Sequence, residues 1–359
     1  MAAPLCPNSL FSYHNIVFIM LLLLIGSCNN CNNGAKPNTS FTPPKTIEQE
    51  DPVINKGIGN LGNTCYMNSV VQILASFYSN AFDKKKGPLG EASRNFIKAI
   101  RGKEEVNQDE IAKRAKVFFD ALKQPKQEDN TGGIGWGPEI GMQEDVSELL
   151  QAIFDWLEMP KAKTIKKFEH PTTGKERPSD IDVWSIHAMG IPTNKINLKS
   201  MQDFFNNSLE PEIIDDFKWS EGDTTTIKVA SIPRLRGLNE LYGKKILVLS
   251  LKRFERNEET GIITKIRQAV EKPFSLTVKQ NQTLDSPNDL YYELVGFIEH
   301  IEYGGIDEGG HYIAYTKVGK QWIKYNDSTV TEILTADAET AAKSAYIFFY
   351  KPTSPRRTE

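Results

Sequence analysis

Apolar residues recur along this chain at two different spacings. Met67, Val70, Val71, Leu74 and then Phe77 or Tyr78 fall on one face of a helix, following the 3.6-residue period of an amphipathic segment. That helix is predicted to begin at Cys65, with Asn63 or Thr64 as its N-cap, because either side chain can accept from the free N–H groups of a first turn. Residues 91–122 read as mostly helical and charged. Val146, Leu149, Leu150, Ile153, Phe154 and Leu157 mark a further amphipathic helix behind the polar start MQEDVSE. From about residue 180 the period changes. TTTIKVASI, KKILVLSLKRF, YYELVGFIEHI, GGHYIAYTKV, QWIKYND and SAYIFFYKP read as strands, separated by Gly, Asp and Asn turns. Helices first and strands later predict an α+β fold, and no internal repeat is present. The Gly-rich stretch TGGIGWGPEIG (131–141) reads as a loop. No strand precedes it and no Lys-Ser/Thr follows, so nucleotide binding is not expected. The basic stretches 84–86 and 161–167 read as solvated faces.

Composition narrows this only a little. The chain has 359 residues, 39% hydrophobic and 25% charged, which is ordinary globular usage. A net charge of −3 gives no support for nucleic-acid binding, which favours a basic face. Cysteine placement says more. Cys6, Cys28 and Cys31 lie near the N-terminus, and the whole body holds only Cys65. Cys28 and Cys31 have CxxC spacing without a second pair, so no zinc site is expected, and neither metal nor other cofactor is called for.

The N-terminus reads as targeting, not fold. Residues 16–25, IVFIMLLLLI, are short for a bilayer span, which takes ~20 residues. They fit the apolar region of a signal peptide. Ile25-Gly26-Ser27-Cys28 resembles a bacterial lipobox, although the preceding residues lack Lys and Arg. The expected organisation is a signal peptide over 1–27, a flexible tether over 28–52, a catalytic domain over 53–351 and a tail over 352–359. Cys28 is the expected lipidation site, and an uncleaved anchor or plain signal is the alternative.

A lone thiol at a helix start is a candidate nucleophile. The N–H groups of a first turn favour the thiolate and lower its pKa. Such a thiol needs a base, an orienter for that base, and donors for an oxyanion. His311, in EGGHYIAY, is the best base because two glycines allow close backbone approach. His300 is the second choice. His170 and His187 lack a comparable setting, and His14 lies in the signal region. Asn326 and Asp327 end the strand after the one that starts at His311, so either can orient it. The Cys65 N–H and the Asn60 side chain are the oxyanion candidates.

These stretches together resemble the ubiquitin-specific proteases, a family of papain-like deubiquitinating enzymes. GIGNLGNTCYMNSVVQIL is similar to the family's Cys box, MQEDVSELL to its QQDAxEFL segment, and ILVLSLKRF to its strand motif. GGHYIAYTKVGKQWIKYNDSTV is similar to its His box. The four appear in family order across about residues 57–350. The resemblance implies a helical thumb, a β-rich palm and fingers. It makes Cys65 the nucleophile, His311 the base and acid, Asn326 the third member, Asp327 a supporting acid and Asn60 the oxyanion donor. Gln143, Asp145 and Glu148 align with the segment that receives ubiquitin's C-terminal tail. The acids suit its arginines, and the plainer reading is that they stabilise a helix start. The expected partners are ubiquitin and ubiquitinated proteins, with a peptidase for another ubiquitin-like modifier or a non-catalytic ubiquitin receptor as alternatives. The chain departs from the family in lacking paired finger cysteines, so reduced, metal-free fingers are expected. A secretory N-terminus on a ubiquitin enzyme suggests a bacterial lipoprotein acting on host ubiquitin, held at a membrane or secreted. The sequon Asn326-Asp327-Ser328 disfavours a eukaryotic glycosylating lumen.

Overall fold

A computed structural model describes residues 53–354, apart from 128–130, 138–140, 143, 193–194, 196, 221, 239–245, 258, 262 and 303–309. The expected signal segment, Cys28 and the tether therefore lie outside the described residues, as does Gln143. Among the described residues no helix is long and apolar enough to cross a membrane.

Helices α1 (Cys65–Phe77), α2 (Gly87–Ile100), α3 (Gln108–Lys123) and α4 (Val146–Trp156) come first. The charged stretch 91–122 is thus two helices. Arg101 ends one of them, and Asn107 starts the next by accepting from the Glu110 N–H at 2.9 Å. The Gly-rich loop closes the end of α3. A Cβ on Gly132 or Gly133 would fall 2.3 Å from the Pro125 or Gln124 carbonyl oxygen. The N–H groups of Ile134 and Trp136 donate to the Leu122 carbonyl. The glycines there serve close packing.

Strands begin earlier than the sequence suggests, at residue 162 instead of about 180. β1 (Ala162–Glu169), β2 (Glu176–Trp184), β4 (Glu212–Phe217) and β5 (Ile227–Arg236) form an antiparallel sheet in the order β2-β1-β5-β4. β3 (Ile186–Gly190) and α5 (Met201–Ser208) lie between β2 and β4 in the chain. The basic stretch 161–167 falls largely on β1. Its exposed lysines alternate with buried Ala162, Thr164 and Ile165, and this hides a strand as a charge run. At the far end of the sheet, Phe168 stacks on Phe217 with centroids 4.8 Å apart, and the Arg177 guanidinium lies 5.2 Å over Phe217. His170 meets Trp219 edge-on at 4.9 Å. Among the described residues no group of three or more His, Cys, Asp or Glu is placed to hold a metal ion. Aromatic packing joins the two hairpin ends.

The larger sheet runs through β6 (Leu247–Lys252), β9 (Ser275–Val278), β10 (Leu290–Glu302), β11 (Gly310–Val318), β12 (Gln321–Asn326), β13 (Thr329–Ile333) and β14 (Ala345–Thr353). Its order is β13-β12-β11-β10-β14-β6-β3, with β9 on β10. Only β3 pairs in parallel, with β6. β14 takes in Pro352 and Thr353, which the sequence reading assigned to the tail. A hairpin of β7 (Phe254–Arg256) and β8 (Ile263–Lys265) stands off this sheet, and α6 (Thr335–Ala342) precedes β14. Both faces of the sheet are covered. Val248, Ile298, Ala314, Ile323 and Ile347 face a core shared with α1–α4. Leu249, Phe297, Ile313, Trp322 and Phe348 face a second core with α5 and α6. Two-sided burial explains the unbroken apolar runs LVLSL and AYIFFY, since no position on such a strand meets water.

Arg253, 1% exposed, follows β6 and acts as a knot. Nε donates to Ala345 O at 2.8 Å, and the terminal nitrogens donate to Gln268 O at 2.9 Å and to Ile266 O and Lys343 O at 3.1 Å. Burial pulls its pKa down to about 10, with the Glu299 charge acting the other way. Arg253→Leu removes a donor from four carbonyls, of which Lys343 O keeps the Val270 N–H at 2.9 Å. It is expected to cost about 3 kcal/mol, read as a lowered urea midpoint at unchanged m-value; an unchanged midpoint refutes the assignment.

Candidate active site

The nucleophile arrives on a helix and the base on a strand. Thr64 precedes α1 as its N-cap, without a side-chain cap bond, and Asn68 N–H donates to the Thr64 carbonyl at 2.9 Å. Cys65 opens the helix and is buried. The backbone N–H groups of Tyr312, Tyr66 and Cys65 itself favour the thiolate. Sequence logic expects these donors to lower the thiol pKa. The structure reverses that balance: burial pushes it up, the Asp327 charge adds to the rise, and the three N–H groups only partly offset both. Burial thus favours the neutral thiol, which calls for a base.

His311 begins β11 next to Tyr312. Its Nε2 lies 2.6 Å from Asn326 Oδ1 and 3.9 Å from Asp327 Oδ2. With Nε2 donating to Asn326, the lone pair belongs to Nδ1. Of the two orienters that the sequence left open, Asn326 makes the short contact. His300 sits elsewhere. Its Nδ1 lies 3.1 Å from Lys265 Nζ, its ring packs 4.6 Å from that of Tyr312, and burial first and Lys265 second lower its pKa to about 4. His187 is buried between Trp184 and Phe205, with burial taking its pKa down to about 4.

Asp327 holds the oxyanion candidate. Asn60 Nδ2 donates to Asp327 Oδ2 at 3.0 Å, and Asn60 Oδ1 accepts from the Gly62 and Thr64 N–H groups at 2.9 and 3.1 Å. An amide has two N–H bonds, so Asn60 retains one for an oxyanion. Asp327 itself has φ +50°, a left-handed turn that Asp tolerates better than most residues. The 57–60 segment lies on this turn: Ile58 N–H donates to Asp327 O at 2.9 Å, and a Cβ on Gly57 would fall 2.2 Å from Ser328 O. Sequence reasoning missed Asn68, whose Nδ2 donates to Asp327 Oδ1 at 2.7 Å. The signal for it was a polar residue on the buried stripe of α1, one turn after Cys65.

The acids lie at the start of α4. Asp145 caps the helix, its Oδ1 accepting from the Ser147 and Glu148 N–H groups at 2.6 and 3.2 Å, while Oδ2 accepts from Tyr346 OH at 2.7 Å. Its plainer role is therefore realised. Glu148 reaches solvent from the first turn. Partial burial first, then the charges of Asp145 and Glu144, push its pKa up. Among the described residues neither acid has a Lys or Arg partner. Tyr312 lies between this cluster and the thiol: burial first, then the charges of Asp145 and Cys65, push its phenol pKa up. Phe254, 6.0 Å from Tyr346 and 5.6 Å from His300, continues the aromatic lining. Tyr312, Tyr346 and Phe254 were not foreseen as site residues.

A buried thiol, an imidazole with an amide orienter and a nearby amide donor define a cysteine-type hydrolase of papain-like fold. A profile of the family described as ubiquitin carboxyl-terminal hydrolase matches residues 56–350, and the chain belongs to that family of cysteine-type deubiquitinases. Ubiquitin carboxyl-terminal hydrolase 8 of Saccharomyces cerevisiae is 26% identical over 361 residues, covering 85% of this chain and 72% of the relative. Ubiquitin carboxyl-terminal hydrolase 16 of Arabidopsis thaliana is 25% identical over 84% of this chain but 31% of its own length. Among solved structures, the SAGA DUB module Ubp8/Sgf11/Sus1/Sgf73 bound to ubiquitin aldehyde contains a similar fold. It has a TM-score of 0.62 and 21% identity, covering 86% of this chain and 72% of that one. The same module bound to monoubiquitin gives a TM-score of 0.64, also at 21% identity, with the same coverage.

The 2.6 Å contact from Asn326 to His311 against 3.9 Å from Asp327 ranks the two orienters. On a fluorogenic ubiquitin substrate, Asn326→Ala is expected to lower kcat by about a hundredfold, within the range for impaired acid–base catalysis, and more than Asp327→Ala. The opposite order of kcat values transfers the orienting role to Asp327.

Proposed function

We propose that this chain is a thiol isopeptidase that cleaves the bond after the C-terminal Gly of ubiquitin on lysine-linked conjugates. One observation carries the reading: the strand that holds His311 within 2.6 Å of Asn326 packs into the same buried core as Cys65. His311 Nδ1 takes the thiol proton as the sulfur attacks the Gly carbonyl. The Asn60 amide and the Cys65 N–H receive the oxyanion. Collapse breaks the C–N bond, and the proton on His311 passes to the leaving lysine amine. His311 then takes a proton from water, whose oxygen attacks the thioester and frees the carboxylate and the thiol. Asp145, Glu148 and Gln143 are assigned to the Arg-bearing tail, with Glu148 as the acid left to pair with a cation.

A ubiquitin C-terminal electrophile tests this directly. The adduct is expected on Cys65 alone, and Cys65→Ala abolishes it. Labelling that survives Cys65→Ala sinks the assignment. Reaction only with probes built on another modifier moves the activity to that modifier.

The N-terminal segment is proposed to anchor the enzyme through lipid on Cys28, as a bacterial lipoprotein facing host ubiquitin. The apolar run 16–25, the lipobox-like 25–28 and the polar stretch after it support this. A tether of this length has an r.m.s. span of roughly 25–30 Å, enough to let the domain turn above a surface. Deleting residues 1–50 is expected to yield soluble enzyme with unchanged turnover, and Cys28→Ala to release full-length protein from the membrane fraction. Retention of Cys28→Ala in that fraction, or absence of labelled fatty acid from the wild type, removes the lipoprotein reading.

A further inference from the structure

Asn68 lies three residues beyond the nucleophile on α1 and is 2% exposed. Nδ2 donates to Asp327 Oδ1 at 2.7 Å, with Ile58 O and Gly59 O further off at 3.3 and 3.4 Å. The shortest bond goes to a carboxylate. Its other oxygen accepts from Asn60 Nδ2 at 3.0 Å and lies 3.9 Å from His311 Nε2. The carboxylate is therefore gripped from both sides by neutral amides. Among the described residues no Lys or Arg pairs with it. The ionisable groups that face it are His311 from β11 and the Cys65 thiol from α1. The 57–60 segment contributes Asn60 and backbone only.

A carboxylate on a left-handed turn, with solvent on one side, has rotamers that turn it away from the site. Asn68 removes that freedom, because a charge-assisted amide bond at 2.7 Å is among the stronger neutral-donor contacts. Fixing Asp327 fixes two things at once: the Asn60 amide that awaits the oxyanion, and the negative charge beside the imidazole. Asn68 is rooted in the helix that bears Cys65. Nucleophile, oxyanion donor and base support are thus referred to one rigid element.

We propose that Asn68 is a positioning residue for the hydrolysis, acting through Asp327 and thereby setting the Asn60 amide and the field on His311. This rests on the assignment of the site as a ubiquitin isopeptidase, and its test includes a readout that does not need ubiquitin. A double-mutant cycle pairs Asn68→Ala with Asp327→Ala on a fluorogenic ubiquitin substrate. Asn68→Ala is expected to lower kcat about tenfold with KM nearly unchanged, and to cost nothing further on the Asp327→Ala background. In parallel, the pH profile of Cys65 alkylation by iodoacetamide reports the thiol and its base without any ubiquitin. Asn68→Ala is expected to move its midpoint in the same direction as Asp327→Ala, with the double variant moving no further. Thermal melts of all four proteins set aside unfolding, and Asn68→Ser repeats the cycle should Asn68→Ala not fold. Multiplicative losses in kcat, or a wild-type alkylation midpoint in the single variant, overturn the proposal. If no form turns over ubiquitin while the alkylation midpoints couple as stated, the ubiquitin assignment fails and the role of Asn68 stands.

Discussion

The burial of Cys65 and Tyr312 in one core is the constraint on which the site depends. The two residues lie far apart in sequence, one opening a helix and one near the start of a strand. Neither half of the chain contains a complete site. The helical half brings a thiol and an amide, and the sheet brings an imidazole and its orienters. Burying α1 against β11 and β12 makes them one object. The apolar stripe of α1 and the facing side chains of Ile298, Ala314 and Ile323 belong to one core, so the active-site distances rest on hydrophobic packing.

Burial also sets the chemistry of the thiol. Desolvation raises the pKa of a buried Cys, and N–H donors at a helix start lower it. Here desolvation is the larger effect, and the nearby Asp327 charge adds to it. A site of this kind favours the neutral thiol, which leaves the base a proton to remove. Turning the imidazole then becomes as important as supplying it, which gives the 2.6 Å contact from Asn326 its weight. The cap of α4 extends the same economy, because Asp145 stabilises a helix start and orders Tyr346 at once.

The elements legible in the sequence were those with a clean period. α1, α4, β6, β10, β11 and β14 bury whole faces, and their apolar residues say so. β1 and β4 were missed because lysines and acids break up their apolar residues, so they read as charged segments. β13 and α6 are short and largely exposed, with little pattern to find. Within the site, His311 lies against Asn326 and Asp327, and Asn60 bonds Asp327, all residues that the motifs name. Asn68 and Tyr346 were invisible for a different reason. Their importance lies in a hydrogen bond to a distant residue, and no spacing along one segment encodes that. The direction of the thiol pKa was misjudged on the same ground, since helix position is local and burial is not.

Glu148 carries a consequence for where such an enzyme can work. Its carboxyl is held above the usual carboxylate range by partial burial and by the acids beside it. It therefore picks up a proton at a higher pH than an isolated Glu. On the reading that it pairs with a basic tail, the attraction fades as a medium turns sour, before ordinary surface carboxylates are affected.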